Sequence, residues 1–357
     1  MSNVFSNNLK DAPALVEIFR GTTVVGQPIV ETVHHGLILV TSGDEHSLIS
    51  IGDTKTMVHT RSCAKPLQAL PLFRHGLFDG RPSLLTLADV ALMMSSHAGA
   101  SIHTSRVAEL LTANGLDESS LRCGAHPPQD EATRKDLQRR HLLPSPLHNN
   151  CSGKHIGMLL VCLKQGFDIH SYEDPHHPLQ QEIKKLVADF ADLQPSDLSY
   201  GIDGCSLPTW ALPLEKLALI YARLAYWQEH LPRDRPHWLK MALKKMWEAA
   251  VKAPDYLAGP DQFDTELIKR SGGQIFSKIG ADGIHALAAL PCAQYPTGLG
   301  IAIKIADGDA RKDMRPLVIK HTLTKLGLWP AHPALESFMP SFQNFRGLNT
   351  GGAKLLF

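Results

Sequence analysis

Residues 36–51 read GLILVTSGDEHSLISI, and this stretch decides the fold class. Two apolar runs, Gly36–Val40 and Ser47–Ile51, flank the turn-forming residues Gly43-Asp44-Glu45-His46. Apolar runs on either side of a short turn that contains Gly and Asp are typical of an antiparallel hairpin. The chain is therefore expected to begin with strands, and an earlier alternating run at Leu15–Phe19 adds to them.

Outward from this hairpin, strand-like and helical segments follow in a simple order. Thr22–Val25 is a further early strand-like run, and strand character returns at Gly283–Leu290 and Leu299–Ile305. The segments with helical character are 64–73, 86–94, 101–114, 153–165, 177–193, 212–231, 237–250 and 314–327. Because no alternation of strand and helix separates the early strands from the late ones, we expect one antiparallel sheet built from both ends of the chain.

The expected fold class is α+β, with an antiparallel sheet flanked by helices and an added helical region. Residues 1–357 are expected to form a single unit, because no linker, repeat or low-complexity segment divides them. The sheet would come from 14–60 and 274–327, and the helical region from 61–273. The tail after residue 327 is predicted to be loop-rich, with no strand before Asn349–Ala353.

Composition argues against several classes of protein. Lys and Arg number 36 and Asp and Glu number 35, so the net charge of +1 does not favour nucleic acid or an anionic membrane as partner. The longest apolar runs are far shorter than the roughly 20 residues that span a bilayer. The N-terminal segment contains Asp11 and Glu17 where a signal peptide would be apolar, so a cytoplasmic protein is expected. Six scattered cysteines without a CxxC pair predict reduced thiols.

The motif RSCAKP, residues 61–66, is the first candidate for chemistry. If a helix begins near Ser62, then Ser62 and Lys65 lie one turn apart on the same face. A lysine with a lowered pKa would take the serine proton and make the hydroxyl a nucleophile. The S-x-x-K element of serine penicillin-binding enzymes has this spacing. The alternative interpretation is a helix N-cap followed by a solvated lysine.

A second lysine stands in SKIG, residues 277–280, just before the predicted strand Gly283–Leu290. Enzymes with an S-x-x-K nucleophile also carry a K-[ST]-G triad on a late edge strand. Here Ile279 replaces the Ser or Thr of that triad. Lys278 is therefore a candidate catalytic residue, and the alternative is a turn with an exposed lysine.

Two polar turns contain cysteines that are candidate metal ligands. In HNNCSGKHIG, residues 148–157, Cys151, Lys154 and His155 follow at i, i+3 and i+4 and so share one helix face. GIDGCSLP, residues 201–208, brings Cys205. Two cysteines together would hold a soft metal such as zinc, and spacing alone nominates His155 as the third ligand. The alternatives are an ordinary helix cap and a buried pair of cysteines.

Seven segments together resemble the Rhizobium etli-type L-asparaginases, also called the asparaginase II family. In chain order they are RSCAKPLQALP, LMMSSHAG, LRCGAHPP, NNCSGKHIGML, GIDGCSLPT, SKIGADG and LGIAIKIADGD. The matching blocks run from about residue 14 to residue 308. The resemblance implies a serine-β-lactamase/glutaminase-like fold, usually a homodimer, and hydrolysis of L-asparagine to L-aspartate and ammonia by a single catalytic unit.

The resemblance also implies roles for individual residues. Its catalytic residues are two Ser-Lys pairs, Ser62 with Lys65 and Ser96 with Lys278. Its zinc ligands are Cys151, Lys154 and Cys205. Lys154 thereby replaces the spacing-based choice of His155, which is placed near the substrate instead. Asp203 resembles the acidic residue that meets the substrate's α-amino group. The predicted substrate-binding residues are Arg61, Asn150, His155 and Asp203.

Several questions stay open at the level of sequence. Ser62 activated by a neutral Lys65 is one nucleophile, with backbone N–H groups stabilising the oxyanion, and Ser96 with Lys278 would relay protons or supply the nucleophile instead. The zinc is expected to position substrate, since no general base partners it. A glutaminase or broader amidase is an alternative, because one methylene changes binding by only about 1–3 kcal/mol. A catalytically silent zinc-binding or amino-acid-binding protein is another, although it would be expected to lose Ser62 or Lys65.

Overall fold

A computed structural model describes residues 9–22, 26–78 and 85–357, so residues 23–25 of the predicted strand Thr22–Val25 lie outside the described residues. The strands are β1 Ala14–Arg20, β2 Ile29–Ser42, β3 Ser47–Ile51, β4 Met57–His59, β5 Ser199–Ile202, β6 Pro208–Pro213, β7 Ile275–Ile279, β8 Ile284–Ala289, β9 Leu299–Ile305 and β10 Gly351–Leu355. The α-helices are α1 Lys65–Arg74, α2 Leu87–Met93, α3 Ser101–Ala113, α4 Glu131–Arg139, α5 Ser152–Gln165, α6 Pro178–Ala191, α7 Leu214–Tyr226, α8 His237–Lys252, α9 Pro254–Leu257, α10 Phe263–Arg270, α11 Met314–Lys325 and α12 Pro333–Glu336.

The main sheet joins the two ends of the chain, as the sequence predicts. Its strands lie in the order β10-β1-β2-β9-β8-β7, and β3 pairs with β2 beside this path. All these pairs are antiparallel. The predicted hairpin is confirmed, since β2 and β3 pair with Ile38 opposite Ile51. The predicted α+β class with an antiparallel sheet and flanking helices is therefore confirmed.

The second half of β2 is apolar without interruption because the sheet is covered on both faces. Leu37 and Leu39 belong to the hydrophobic cluster between the sheet and the helical region. Ile38 and Val40 belong to a second cluster on the opposite face, with residues of α10 and α11. Successive side chains of a strand point to opposite faces, so a strand buried on both sides needs no polar residue. The same alternation aims neighbouring residues of β7 to opposite sides of the sheet.

The predicted loop-rich tail also contains a strand that the sequence pattern did not predict. Gly351–Leu355 forms β10, which pairs along β1 at the edge of the sheet. Two glycines and no polar–apolar alternation hide this strand in the sequence. The Phe19 ring packs so closely on this strand that position 352 must be glycine, because a Cβ there would lie 2.4 Å from the ring.

The helical region also holds a small sheet that the helical periodicity did not predict. Its strands have the order β4-β6-β5. The helix predicted over 212–231 therefore begins only at Leu214, after β6, and ends at Tyr226. Within the described ranges, no helix combines the length and apolar character that crossing a bilayer requires.

Candidate active site

Lys65 is buried at the start of α1 and points to a serine other than Ser62. A 3₁₀ turn over Arg61–Ala64 leads directly into the helix, and Lys65 is 1 % exposed. Its Nζ donates to Ser96 Oγ at 3.0 Å, to Asn150 O at 3.4 Å and to Ser95 O. In the described part of the chain, Ser62 Oγ makes no hydrogen bond. The interpretation of Lys65 as a solvated lysine is therefore wrong, and the amine that follows Ser62 in the motif contacts Ser96.

Lys278 approaches the same hydroxyl from the sheet. It lies on β7, the edge strand, and is completely buried, so the alternative of an exposed lysine in a turn is wrong. Its Nζ is 2.7 Å from Ser96 Oγ and 3.1 Å from Ile279 O. Ser96 follows the end of α2, and its backbone N–H donates to Leu257 O at 3.1 Å. The structure thus brings the two lysines and Ser96 together.

Burial changes the acid–base properties of both amines. Burial lowers the pKa of Lys65 below its usual value. Burial, with the nearby charge of Lys65, lowers the pKa of Lys278 to about 7. An amine with a pKa near the working pH both accepts and returns a proton readily, which is the property of a general acid–base group.

Cys151, Lys154 and Cys205 meet as the resemblance implies. Cys151 precedes α5, Lys154 lies in its first turn, and Cys205 comes from the turn between β5 and β6. All three are buried, and Lys154 Nζ is 3.1 Å from Cys205 Sγ. A hydrogen bond from Cys151 and the charge of Lys154 hold the pKa of Cys205 well below its usual range. The Cys205 thiolate in turn raises the pKa of Cys151 to about 12.

This trio fits a zinc ion by its chemistry. Thiolates and a neutral nitrogen donor are ligands of a soft, borderline metal, and a buried site of this kind excludes competing water. Among the described residues there is no group of three or more His, Cys, Asp and Glu placed to hold a metal, so a metal held by this trio would take the amine of Lys154 as its third donor. Zinc binding would release the protons of Cys151 and Lys154, because both ligands must be deprotonated.

The His155 side chain hydrogen-bonds Tyr172 and does not line the cavity that holds the serines. It is fully buried on α5, its Nδ1 is 2.7 Å from the Tyr172 hydroxyl oxygen, and its Nε2 has no partner in the described residues. Burial lowers the pKa of His155 to about 3, which keeps the ring neutral. The structure does not bring this predicted substrate contact to the cavity that holds the serines.

Arg61 binds Asp203 and borders a second cavity. Its Nη2 donates to Asp203 Oδ1 at 2.8 Å, and Nη1 pairs with Asp282. The backbone of Arg61 has a φ of +46°, a strained value for a side-chain-bearing residue that is often found at functional sites. Although burial raises the pKa of Asp203, the hydrogen bond from Arg61 holds it below its usual value.

The two serines share a cavity of about 390 Å³. Ser62, Ser96 and Asn150 line it together. Arg61 lines a neighbouring cavity of about 670 Å³ instead, and Asp282 lines both. Of the predicted substrate-binding residues, Asn150 lines the cavity with the serines and Arg61 lines the neighbouring one. Asp203 is bonded to Arg61.

Sequence reasoning missed a buried cluster behind Lys278. The Asp264 carboxylate accepts a hydrogen bond from Ser277 Oγ at 2.7 Å and one from the Ile279 N–H at 2.8 Å, and it lies 3.0 Å from His285 Nε2. Asp264, Ser277 and His285 are at most 2 % exposed. The only sequence signal was the position of Ser277 directly before Lys278, since Asp264 is an ordinary helical residue by pattern.

The sequence matches the family model of L-asparaginase II over residues 22–355. No curated protein matches the chain. A Bacillus glutaminase solved in 4.3 M NaCl is 13 % identical, with 82 % of this chain and 91 % of that chain covered and a TM-score of 0.43.

A Bacillus subtilis glutaminase in covalent complex with 5-oxo-L-norleucine is 14 % identical over 87 % of this chain and 92 % of that chain, with a TM-score of 0.39. The family match spans almost the whole chain and includes every residue of the cavity and of the cysteine trio described above. The chain is a member of the L-asparaginase II family of amidohydrolases.

Proposed function

We propose that this protein is an L-asparaginase of the Rhizobium etli type, which hydrolyses L-asparagine to L-aspartate and ammonia. The observation that carries the proposal is the convergence of two buried amines on Ser96 Oγ, at 2.7 and 3.0 Å, in a cavity that also holds Ser62. Membership of the L-asparaginase II family supports the amide as substrate.

In the proposed mechanism, Ser62 Oγ attacks the side-chain amide carbon. Its proton passes into the chain formed by Lys65, Ser96 and Lys278, and Lys278 holds it because its pKa is about 7. The same chain returns the proton to the leaving nitrogen, so ammonia departs and an aspartyl ester remains on Ser62. Water then gives a proton to the same chain as it adds to the ester carbon, the bond to Ser62 breaks, and the chain passes that proton to the Ser62 oxygen.

We propose zinc as the metal of Cys151, Lys154 and Cys205. When bound, it would supply a Lewis-acidic centre that orients the substrate. Asp203 lies two residues before Cys205 and keeps its negative charge, so it is suited to bind the α-ammonium group of an amino acid. Arg61 fixes that carboxylate, and Asn150 offers a polar wall to the serine cavity.

The test is ammonia release by the purified protein with L-asparagine and L-glutamine side by side. Release from asparagine alone, abolished in Ser62→Ala and retained in the control Ser101→Ala, is the expected result; Ser101 is exposed at the start of α3. Activity that survives in Ser62→Ala would move the nucleophile to Ser96. Equal or greater release from glutamine would replace the substrate and keep the chemistry, as a glutaminase or broader amidase.

Absence of release from either amide, with and without added zinc, would leave the silent binding protein as the better assignment. The homodimer and the cytoplasmic location stay predictions. Light scattering behind a sizing column tests the first, since a dimer of 39.2 kDa chains has twice that mass.

A further inference from the structure

The strand that carries Lys278 is held by a carboxylate on both sides of that residue. Asp264, the second residue of α10, uses one oxygen for Ser277 Oγ at 2.7 Å and for His285 Nε2 at 3.0 Å. Its other oxygen accepts the Ile279 N–H at 2.8 Å. Ser277 and Ile279 are the two sequence neighbours of Lys278. The carboxylate therefore fixes the backbone immediately before and immediately after the lysine.

The register of the sheet places this cluster and the Lys278 side chain on opposite faces of β7, and Asp264 and His285 line the same cavity as Ser62 and Ser96. Ile279 lies opposite His285 in the β7–β8 pair. Ser277, Ile279 and His285 thus point to one face of the sheet, and Lys278 points to the other, because side chains alternate along a strand. Asp264 holds the strand through Ser277 and Ile279, while Lys278 Nζ reaches Ser96 Oγ at 2.7 Å from the other face of β7.

Asp264 is a buried negative charge without a bonded Lys or Arg in the described residues. Burial raises the pKa of its carboxyl, but His285, Lys278 and the Ser277 hydroxyl together hold that pKa far below its usual value, so it is ionised. Burial lowers the pKa of His285, which leaves that ring mostly neutral. A buried anion favours the charged form of a nearby amine, and Asp264 raises the pKa of Lys278 in this way.

We propose that Asp264 is a positioning residue of the amide hydrolysis, which holds Lys278 against Ser96 and stabilises a proton on that lysine. This inference rests on the proposed role of Lys278 in proton transfer. Ser277 and His285 serve Asp264 by supplying the donors that keep its carboxylate in place. Without the carboxylate, burial and the neighbouring cation would lower the pKa of Lys278 further.

Charged and titratable groups from five parts of the chain act on Lys278, and together they determine how its pKa responds when Asp264 is substituted. They are Cys63 of the 3₁₀ turn, Lys65 of α1, Cys151 before α5, Asp264 of α10 and His285 of β8. Lys65 lowers the pKa of Lys278, and Asp264 raises it. Loss of the Asp264 charge alone should therefore move the Lys278 titration to lower pH.

The test measures the titration of Lys278 in two ways, directly on the labelled side chain and through the pH dependence of amide hydrolysis. Protein labelled with [ε-¹³C]lysine gives the titration of Lys278, with the signal assigned by its loss in Lys278→Met. In Asp264→Asn, the midpoint is expected to fall by roughly one pH unit, the lower limit for an opposite charge nearby. The acid limb of kcat/KM for amide hydrolysis should move by the same amount. The matched control is Asp89→Asn, a buried carboxylate paired with Arg106 outside the cavity, which should leave both midpoints unchanged.

A Lys278 midpoint that stays in place in Asp264→Asn, with kcat lower by the same factor at every pH, would overturn the proposal and leave Asp264 a structural residue. If that variant does not fold, Asp264→Glu replaces it, because it keeps the charge and misplaces the carboxylate by one methylene. Its midpoint should stay near that of the unaltered protein while kcat falls about tenfold. An unchanged kcat would overturn the positioning role. Because the lysine titration needs no turnover, it still tests the role of Asp264 in a protein that releases no ammonia. Such a protein would refute only the proposed function.

Discussion

Lys65 and Lys278 contact the same hydroxyl oxygen, but their surroundings differ in chemistry. Lys65 lies on the cysteine side of the site, where its Nζ has three oxygen acceptors, from Ser96, Ser95 and Asn150. Lys278 lies on the carboxylate side, where its Nζ has two acceptors and Asp264 stands behind the strand.

The two amines thus differ in the number of hydrogen-bond acceptors and in the charged groups around them. An ammonium group has three N–H donors. In the described residues Lys65 reaches three acceptors and Lys278 reaches two. Burial and the charge of Lys65 lower the pKa of Lys278 to about 7. Lys278 is accordingly the amine suited to exchange a proton at neutral pH. Lys65 is suited to hold Ser96 in place and to transmit the proton of Ser62.

Removal of either amine is expected to have the largest effect. Lys65→Met and Lys278→Met should each lower kcat/KM by roughly 10²–10⁴-fold, the usual contribution of acid–base catalysis. The pH dependence of the residual activity should differ between the two variants. In Lys65→Met the acid limb near pH 7 should move to higher pH, because the charge that depresses the pKa of Lys278 is gone. In Lys278→Met that limb should disappear.

The measurement is a pH profile of ammonia release from pH 5 to 9, with Lys164→Met as an exposed control on α5. Identical residual profiles in the two variants would contradict the division of roles between the lysines.

Substitutions on the cysteine side of the site should lower the zinc content of the protein, whereas substitutions on the carboxylate side should not. Cys205→Ser removes the thiolate that both Cys151 and Lys154 contact, and zinc should fall from about one ion per chain to nearly none. We expect kcat/KM to fall by about 10–100-fold, on the scale seen when a metal site is disturbed. Elemental analysis after dialysis against zinc measures the first effect.

Cys292→Ser, at a half-buried cysteine outside the trio, is the control and should retain its zinc. Asp264→Asn should also retain it, because the carboxylate cluster contacts none of the three ligands. Full zinc content in Cys205→Ser would exclude the proposed ligand set.

Loss of Arg61 should affect binding more than turnover. Arg61→Met frees Asp203 and Asp282, the two carboxylates that the guanidinium holds. KM for L-asparagine should rise about tenfold, equivalent to about 1.4 kcal/mol, while kcat changes little. Steady-state kinetics tests this, with the exposed Arg139→Met as control. A large fall in kcat at unchanged KM would place Arg61 in the chemical step.

The sequence predicts the parts of the molecule whose signals are local. The hairpin at 36–51 follows from its turn and its apolar runs, and the late strands follow from the same pattern. The resemblance brings Ser96, Lys278 and the cysteine trio to one site although they are far apart in the chain. β10 escapes prediction because its glycines fit the Phe19 ring, and a contact of that kind has no local signal.

Two features of the site depend on tertiary packing and could not be read from motifs. The S-x-x-K spacing pairs Lys65 with Ser62, but the 3₁₀ turn before α1 directs the amine to Ser96. Asp264 lies 13 residues before Ser277, on a helix whose charged pattern is that of an ordinary surface. Only the packing of α10 on β7 turns this carboxylate inward.

The smallest expected effect concerns the Ser277 hydroxyl. Ser277→Ala removes one of the three hydrogen-bond donors to Asp264 and leaves the charge of Asp264 in place. The free energy of unfolding should therefore fall by about 1 kcal/mol. The Lys278 midpoint should not move. Urea unfolding measures the first effect and the lysine titration the second. Thr265→Val is the matched control, since it removes a buried hydroxyl of α10 that bonds Gly259 O at 2.7 Å. If Ser277→Ala shifted the midpoint as far as Asp264→Asn, then the hydrogen bond, and not the charge, would control Lys278.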